Sequence, residues 1–156
     1  MHLFTPILLN CNLIWASTYV TNLQRIYLLQ KRADRAISKA DYKASSKPLL
    51  ANLKILDVFS IYSLQVSSFM YLYHNDALLI SFTQIFQTGK QIHQYSTRYS
   101  NFYRPHTCRT NIKKISILFQ GPRIWNSLPN DIKNAPCFSI SKRVIKPFLR
   151  VRQKAT

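Results

Sequence analysis

Residues 57–74, DVFSIYSLQVSSFMYLYH, form the longest stretch of the chain with helical periodicity. Asp57 is predicted to be the N-cap, because its carboxylate can accept hydrogen bonds from the free backbone N–H groups of the first turn. One helix face carries large or apolar side chains every three or four residues: Val58, Ile61, Tyr62, Gln65, Val66, Phe69, Leu72 and Tyr73. A second face is also apolar, through Phe59, Leu64, Met70 and Tyr71. We therefore predict a helix that is buried on more than one side.

Helical periodicity and capping signals continue on both sides of this stretch. Further helices are predicted over residues 21–40, 48–55, 78–86 and 123–127, and a last one starts at Ser139 or Ser141. Pro147 falls inside the last helix and is expected to kink or end it, at a cost of about 3 kcal/mol.

Residues 113–120 have the alternating pattern of a β-strand, since Ile115, Ile117 and Phe119 are separated by Lys114, Ser116 and Leu118. The dipeptide Gly121-Pro122, which follows at once, is a turn signal. The predicted fold class is therefore mainly α with a small β element in the C-terminal half (α+β).

The charge of the chain is strongly positive and unevenly placed. The 22 Lys and Arg residues face only five acids, all of them Asp, which gives a formal net charge of +17. From Lys90 to the C-terminus there are 14 basic residues and one acid, Asp131. Such an excess indicates a polyanionic partner, or a surface normally covered by another protein. We accordingly divide the chain into a helical segment, 1–89, and a basic, aromatic-rich segment, 90–156.

The residues needed for common kinds of catalysis are missing from the sequence. Two glycines, Gly89 and Gly121, are too few for a Gly-rich phosphate loop, and five scattered Asp residues do not form the carboxylate cluster of a Mg²⁺ site. His106 and Cys108, with His93 and Cys137 nearby in sequence, lack the paired spacing of zinc ligands. We therefore expect no enzyme activity, no catalytic or metal-binding residue and no cofactor.

The sequence also gives an expectation for the compartment. Its three cysteines are an odd number without a close pair, which suits a reducing environment. The N-terminus lacks the basic residues that begin a signal peptide, and no stretch approaches the roughly 20 apolar residues of a transmembrane helix. We expect an intracellular protein, in the cytoplasm or nucleus, that has no membrane partner.

Basic and aromatic residues alternate in the C-terminal half in a way that favours nucleic-acid binding. Tyr rings can stack on bases, while Arg and Lys bind phosphates. The candidate nucleic-acid-binding residues are Arg98, Arg104, Arg109, Lys113, Lys114, Arg123, Tyr95 and Tyr103. In the alternative interpretation, the aromatic residues belong to the core and the cations are simply solvated. The expected partner is RNA or DNA, bound without sequence specificity and in a salt-dependent manner.

Several segments resemble a known protein family in their order and spacing. They are NLIWASTY at 12–19, LQRI at 23–26, HQYSTR at 93–98 and GPRIWNSLP at 121–129. Together they resemble the region that follows the polymerase domain in the reverse transcriptases of non-LTR (LINE-type, jockey-like) retrotransposons.

The resemblance implies a non-catalytic C-terminal region, because the catalytic aspartates of the family lie in the palm, upstream of these segments. It also implies a second partner, a polymerase domain absent from this chain. Asp34 stands where the family pattern prefers an apolar residue, Ser141 stands where an aromatic residue is usual, and Pro147 interrupts the last helix. These departures indicate a truncated or decayed copy.

Two other functional interpretations remain open from the sequence. In the first, the chain is a structural or interaction fragment without a ligand, and its basic face packs on the polymerase domain. In the second, it is an independent small, basic nucleic-acid-binding protein.

Overall fold

A computed structural model of the chain describes residues 11–82, 84–92 and 97–155, and these residues are mostly helical. The α-helices are α1 (Asn12–Trp15), α2 (Val20–Ile37), α3 (Ser46–Leu53), α4 (Val58–His74), α5 (Gly89–Ile92), α6 (Asn111–Ile115), α7 (Ile117–Asn126), α8 (Asn130–Lys133) and α9 (Phe138–Ala155). A short 3₁₀-helix occupies Ile80–Phe82.

The predicted β element is wrong. Residues 113–120 belong to α6 and α7, and the described part of the chain contains only an isolated bridge between Thr88 and Tyr103. The hydroxyl of Thr110 caps α6 by accepting a hydrogen bond from the backbone N–H of Lys113, at 3.5 Å. In α7 the buried residues include Gly121 and Trp125, which lie one turn apart on one face. The helical repeat of buried residues thus overrides the short alternation of apolar and polar side chains.

The structure corrects the predicted turn at Gly121-Pro122 and shows that Pro147 does not end the last helix. Pro122 lies inside α7 rather than in a turn, and α9 continues through Pro147 to its end at Ala155. Ile145 and Leu149, on either side of Pro147, are both buried. Their packing offsets the loss of one backbone hydrogen bond, because tertiary burial supplies most of the stability of a protein helix.

The described chain forms two compact units, and the division does not fall near Gly89. The first unit comprises Met1–Gln65 together with Val144–Thr156, and the second comprises Val66–Arg143. Helices α4 and α9 each contribute to both units. Cutting the chain between residues 89 and 90 would therefore divide the second unit, so binding experiments require the full chain.

In the first unit, the start of α4 is fixed by two side chains. The Asp57 carboxylate accepts a hydrogen bond from the backbone N–H of Ser60 at 2.7 Å, which confirms Asp57 as the N-cap. The buried amide of Gln30 donates to the backbone oxygen of Leu56 at 2.9 Å and accepts from the N–H of Val58 at 3.0 Å. These bonds join α2 to the start of α4, whose Val58 packs with Ala16 and Leu23 in the core.

In the second unit, the core is built from aromatic side chains. The rings of Tyr73 and Phe86 meet edge to face at 4.9 Å, and the Tyr73 hydroxyl donates to the Phe86 backbone oxygen at 2.9 Å. A Cβ atom on Gly121 of α7 would lie 3.0 Å from the sulfur of Met70, so this glycine allows α7 to approach α4 closely.

The prediction that α4 is buried on more than one side is confirmed. Residues from both predicted faces of the helix are buried: Val58, Ile61, Leu64, Val66, Met70, Tyr71 and Tyr73.

No single helix in the described ranges is long and apolar enough to cross a bilayer. Helices α3 and α4, which are bent by 45° relative to each other, have the length and composition of a membrane span only when they are taken together.

Two polar side chains, those of Asp34 and Ser141, are buried. Asp34 in α2 is 2% exposed, and its Oδ2 has no hydrogen-bond partner among the described residues. Ser141 in α9 is 1% exposed, and its hydroxyl also has no such partner there. Burying a polar group without a partner costs about 1–3 kcal/mol in proteins, so both positions lower the stability of the fold.

Asp34→Asn is expected to stabilise the protein increasingly as the pH rises. Burial raises the pKa of the Asp34 carboxyl above its ordinary value of 3.8. The folded state therefore favours the neutral form of the Asp34 carboxyl. The wild type has its full stability while this carboxyl is protonated, and it loses stability as the pH rises through the folded pKa. The measurement is urea unfolding of both proteins between about pH 3 and pH 7, across the ordinary Asp pKa.

The exposed Asp131 provides the matched control. Asp131→Asn should not gain stability relative to the wild type over the same pH range, since its carboxyl stays in water. A difference between Asp34→Asn and the wild type that stays constant with pH would contradict the assignment of a buried, destabilising carboxylate.

Candidate nucleic-acid interface

All six predicted cationic residues are exposed, and all six lie in the second unit. Arg98 and Arg104 belong to the segment between α5 and α6, while Arg109 precedes α6. The others lie on helices, Lys113 and Lys114 in α6 and Arg123 in α7. None of these side chains is used in the core, which leaves each available to a phosphate group.

A short region of backbone pairing, which we call the strip, consists of residues 87–90 with residues 99–104. Arg98 directly precedes its second segment, and Arg104 is the last residue of that segment. The N–H of Lys90 donates to the Ser100 oxygen at 2.8 Å, and the N–H of Arg104 donates to the Gln87 oxygen at 2.9 Å. A third bond, from Gly89 N–H to the Phe102 oxygen at 3.1 Å, lies between them. The strip therefore has a defined backbone, although it is too short to form a sheet.

The side chain of Asn126, at the end of α7, fixes the strip to that helix. Its amide nitrogen donates to the backbone oxygen of Tyr103 at 2.7 Å, and its amide oxygen accepts from the backbone N–H of Tyr103 at 3.3 Å. Arg123 lies three residues before Asn126 and thus on the same side of α7. The structure in this way brings Arg123 to the side of α7 that contacts the strip.

The two helical lysines lie in a pair of connected helices. The Gln120 side chain in α7 donates to the backbone oxygen of Lys114 at 2.8 Å, and Ser116 ends α6 and begins α7. Lys113 and Lys114 are adjacent, so they point in directions about 100° apart around the axis of α6. At least two directions from this helix therefore carry an exposed positive charge.

Tyr103 does not have the open ring that base stacking requires. It is 7% exposed, and its hydroxyl lies 2.9 Å from Nδ1 of His74. Burial, with smaller contributions from Tyr73 and Asp76, raises the pKa of Tyr103 to about 12. Its ring packs edge to face on Tyr73 at 5.6 Å, so Tyr103 is a core residue that positions the strip. The other predicted stacking residue, Tyr95, lies outside the described residues.

Two side chains at the strip were not among the predicted site residues. Tyr99 is 67% exposed, and its ring centroid lies 5.3 Å from that of Phe102. The ammonium group of Lys133 lies 5.2 Å from the Phe102 ring centroid and donates to the backbone oxygen of Asn126 at 3.4 Å. Burial lowers the pKa of Lys133 below its ordinary value of 10.5. Tyr99 belongs to the same interleaved basic and aromatic pattern as Tyr103, but sequence spacing cannot choose between them, because their basic neighbours are similar and their burial differs.

The His and Cys residues near the strip have other contacts. His106 Nε2 lies 3.2 Å from the Ile85 backbone oxygen, and the Cys108 thiol donates to the His106 backbone oxygen at 3.1 Å. The structure joins no three His, Cys, Asp or Glu residues into a possible metal site within the ranges that it describes. Cys11, Cys108 and Cys137 are free thiols.

Comparisons of the chain with protein families, with characterised proteins and with solved structures find no match. The geometry of the site and the resemblance in the sequence are therefore the basis for the function proposed below.

Proposed function

We propose that this chain binds RNA or DNA electrostatically and with little sequence preference, through the exposed cations of its second unit. The observation that carries the proposal is that all six predicted cationic residues are exposed. The second unit contains ten basic residues and two acids, Asp76 and Asp131, so few negative charges compete for these cations. Cations that neutralise phosphates release counterions, which supplies most of the free energy of non-specific binding.

We further propose that the chain has no polymerase or nuclease activity. Two-metal nucleotidyl transfer requires clustered carboxylates. Asp57 caps α4 and Asp34 is buried in α2, so two of the five acids already have structural positions. Primer extension with Mg²⁺ or Mn²⁺ should therefore yield no product from this chain.

The proposed origin is the post-polymerase region of a non-LTR retrotransposon reverse transcriptase, based on the resemblance of the segments quoted above. In that setting the chain would hold template RNA or target DNA beside the polymerase domain. We also propose an intracellular location, which the odd number and wide spacing of the three cysteines in the sequence support.

The test is a fluorescence anisotropy titration of the full chain with a labelled single strand at several salt concentrations. If the six cations contact phosphates, the logarithm of affinity should fall against the logarithm of salt concentration with a slope near −4, from about 0.7 per contact. Poly-glutamate of matched charge serves as a competitor that lacks bases and phosphates. A slope near zero, or displacement by poly-glutamate as efficient as by nucleic acid, would contradict the proposal.

A second candidate, protein interaction, is favoured by the outer face of α2. Leu28 and Leu29 are both more than half exposed there, next to the exposed Arg25 and Arg32. Exposed apolar residues next to cations suit a protein surface with acidic and apolar groups. This candidate predicts that Leu28→Ser with Leu29→Ser leaves nucleic-acid affinity unchanged and that nucleic-acid affinity is low from the outset.

A further inference from the structure

We propose that Tyr99 is a stacking surface for an unpaired base, which makes single-stranded nucleic acid the preferred ligand of the strip. This inference rests on the proposed function, because the phosphate contacts of the neighbouring cations are needed to bring a strand to the ring. It replaces the buried Tyr103 with an exposed residue four positions earlier.

The exposure and the support of the Tyr99 ring carry the inference. Tyr99 is 67% exposed, while Phe102 beside it is half-buried and lies at a ring distance of 5.3 Å and an interplanar angle of 56°. Lys133 covers part of Phe102 through its ammonium group. The Phe102 ring thus contacts both Tyr99 and Lys133, and the more exposed of the two aromatic rings is that of Tyr99.

The backbone that presents Tyr99 is fixed before any ligand arrives. The Phe102 N–H donates to the Tyr99 oxygen at 3.0 Å, and the Ser100 N–H donates to the Thr97 oxygen at 3.0 Å. Gly89 allows the two sides of the strip to approach, since a Cβ atom there would lie 3.0 Å from the Tyr99 backbone oxygen. A residue whose backbone is already ordered loses less conformational entropy on binding, and this favours stacking.

The charges around Tyr99 select nucleic acid over other occupants. Lys90, Arg98 and Arg104 are exposed at the strip, and they outnumber Asp76, whose negative charge acts on Tyr103 of the strip. A second copy of the chain would bring the same positive charge and be repelled. In a duplex each base already stacks on its neighbours, so only an unpaired base can offer its face to a tyrosine.

The experiment compares the full-length wild type with Tyr99→Leu and Tyr99→Phe. Anisotropy titrations use labelled RNA and DNA single strands of about 15 nucleotides, close to the upper site size of known single-strand binders. An abasic strand and a duplex of equal length are the controls. Tyr99→Leu should bind the base-bearing strands about tenfold more weakly, at an unchanged salt slope, because one stacking contact is lost. Tyr99→Phe, which keeps a ring, should remain within about twofold of the wild type.

The abasic strand and the duplex separate stacking from charge. Both should bind Tyr99→Leu and the wild type equally, since neither offers an unpaired base. Equal binding of base-bearing strands by Tyr99→Leu and the wild type would overturn the stacking proposal and leave the electrostatic function intact. If no strand or duplex binds the wild type at low salt, the proposed function itself fails. An effect seen with RNA and not DNA, or the reverse, identifies which strand the ring accepts.

A photochemical measurement on the wild type makes the test independent of variant folding. A single strand containing 5-iodouracil, irradiated in complex with the protein, cross-links to an aromatic residue stacked on the modified base. Peptide mapping should place the cross-link at Tyr99. A cross-link confined to residues outside the strip would overturn the assignment.

Discussion

Replacing Arg98, Arg104 and Arg109 together with alanine should weaken single-strand binding about 100-fold at 0.1 M salt and halve the salt slope. Each phosphate contact to a single strand contributes about 0.7 to the slope, so removing three of six contacts changes the slope from near −4 to near −2. Between 1 M and 0.1 M salt, each phosphate contact raises the logarithm of the affinity by about 0.7. Losing three contacts therefore lowers the affinity at 0.1 M salt by about two powers of ten. The three side chains are exposed, and the fold should remain intact.

A triple variant with the same charge change provides the control. Arg25, Arg32 and Lys43 are also exposed and belong to the first unit. Replacing them with alanine should weaken binding less than about fivefold, because none of the three is among the six cations proposed to contact phosphates. Equal losses for the two triple variants would show that net charge, rather than the cations of the second unit, determines affinity.

Trp125→Ala is expected to lower the free energy of unfolding by about 3–5 kcal/mol, the usual cost of removing a buried aromatic side chain. Trp125 in α7 is 3% exposed, and its ring lies 5.5 Å from that of His74. His74 contacts the Tyr103 hydroxyl, so the cavity would open next to the residues that fix the strip. The loss is a large share of the 5–15 kcal/mol that stabilises a typical protein, and the melting temperature should fall by about 10 °C.

Tyr42→Ala is the matched aromatic control for Trp125→Ala. Tyr42 is 77% exposed, and the centroid of its ring lies 5.8 Å from the Arg35 guanidinium. Its removal should cost less than about 1 kcal/mol, which is the scale of an exposed cation–π contact. A melting temperature for Trp125→Ala within one degree of that for Tyr42→Ala would contradict the aromatic core described for the second unit.

The sequence predicts the helices of this fold well where their apolar residues recur over many turns. Helix α4 has four to five turns of periodic apolar residues and a capping Asp57, and its predicted and observed ends agree closely. The failures lie where the signal is short. The alternation in residues 113–120 spans only a few positions, and the helix caps together with the packing of Trp125 decide the outcome instead. Pro147 fails as a helix breaker because burial of its neighbours exceeds its local cost.

The sequence identifies the exposed cations of the candidate site, but it does not identify which tyrosine is exposed there. Long basic side chains are nearly always exposed, so sequence alone identifies Arg98 and Lys113 as available cations. Tyrosine is found both in cores and on surfaces, and only tertiary contacts distinguish Tyr103 from Tyr99. Asn126 and Lys133 have no sequence signal for their positions, because each acts through a backbone group or a ring far along the chain.

Lysine acetylation footprinting of the full chain tests the central claim most directly. Lys113, Lys114, Lys43 and Lys47 are all exposed, so each should react rapidly with the reagent when the protein is free. With a saturating single strand at low salt, the reactivity of Lys113 and Lys114 should fall several-fold, while that of Lys43 and Lys47 should stay the same. Protection of Lys43 and Lys47 equal to that of Lys113 and Lys114, or protection of none of the four, would contradict binding by the cations of the second unit.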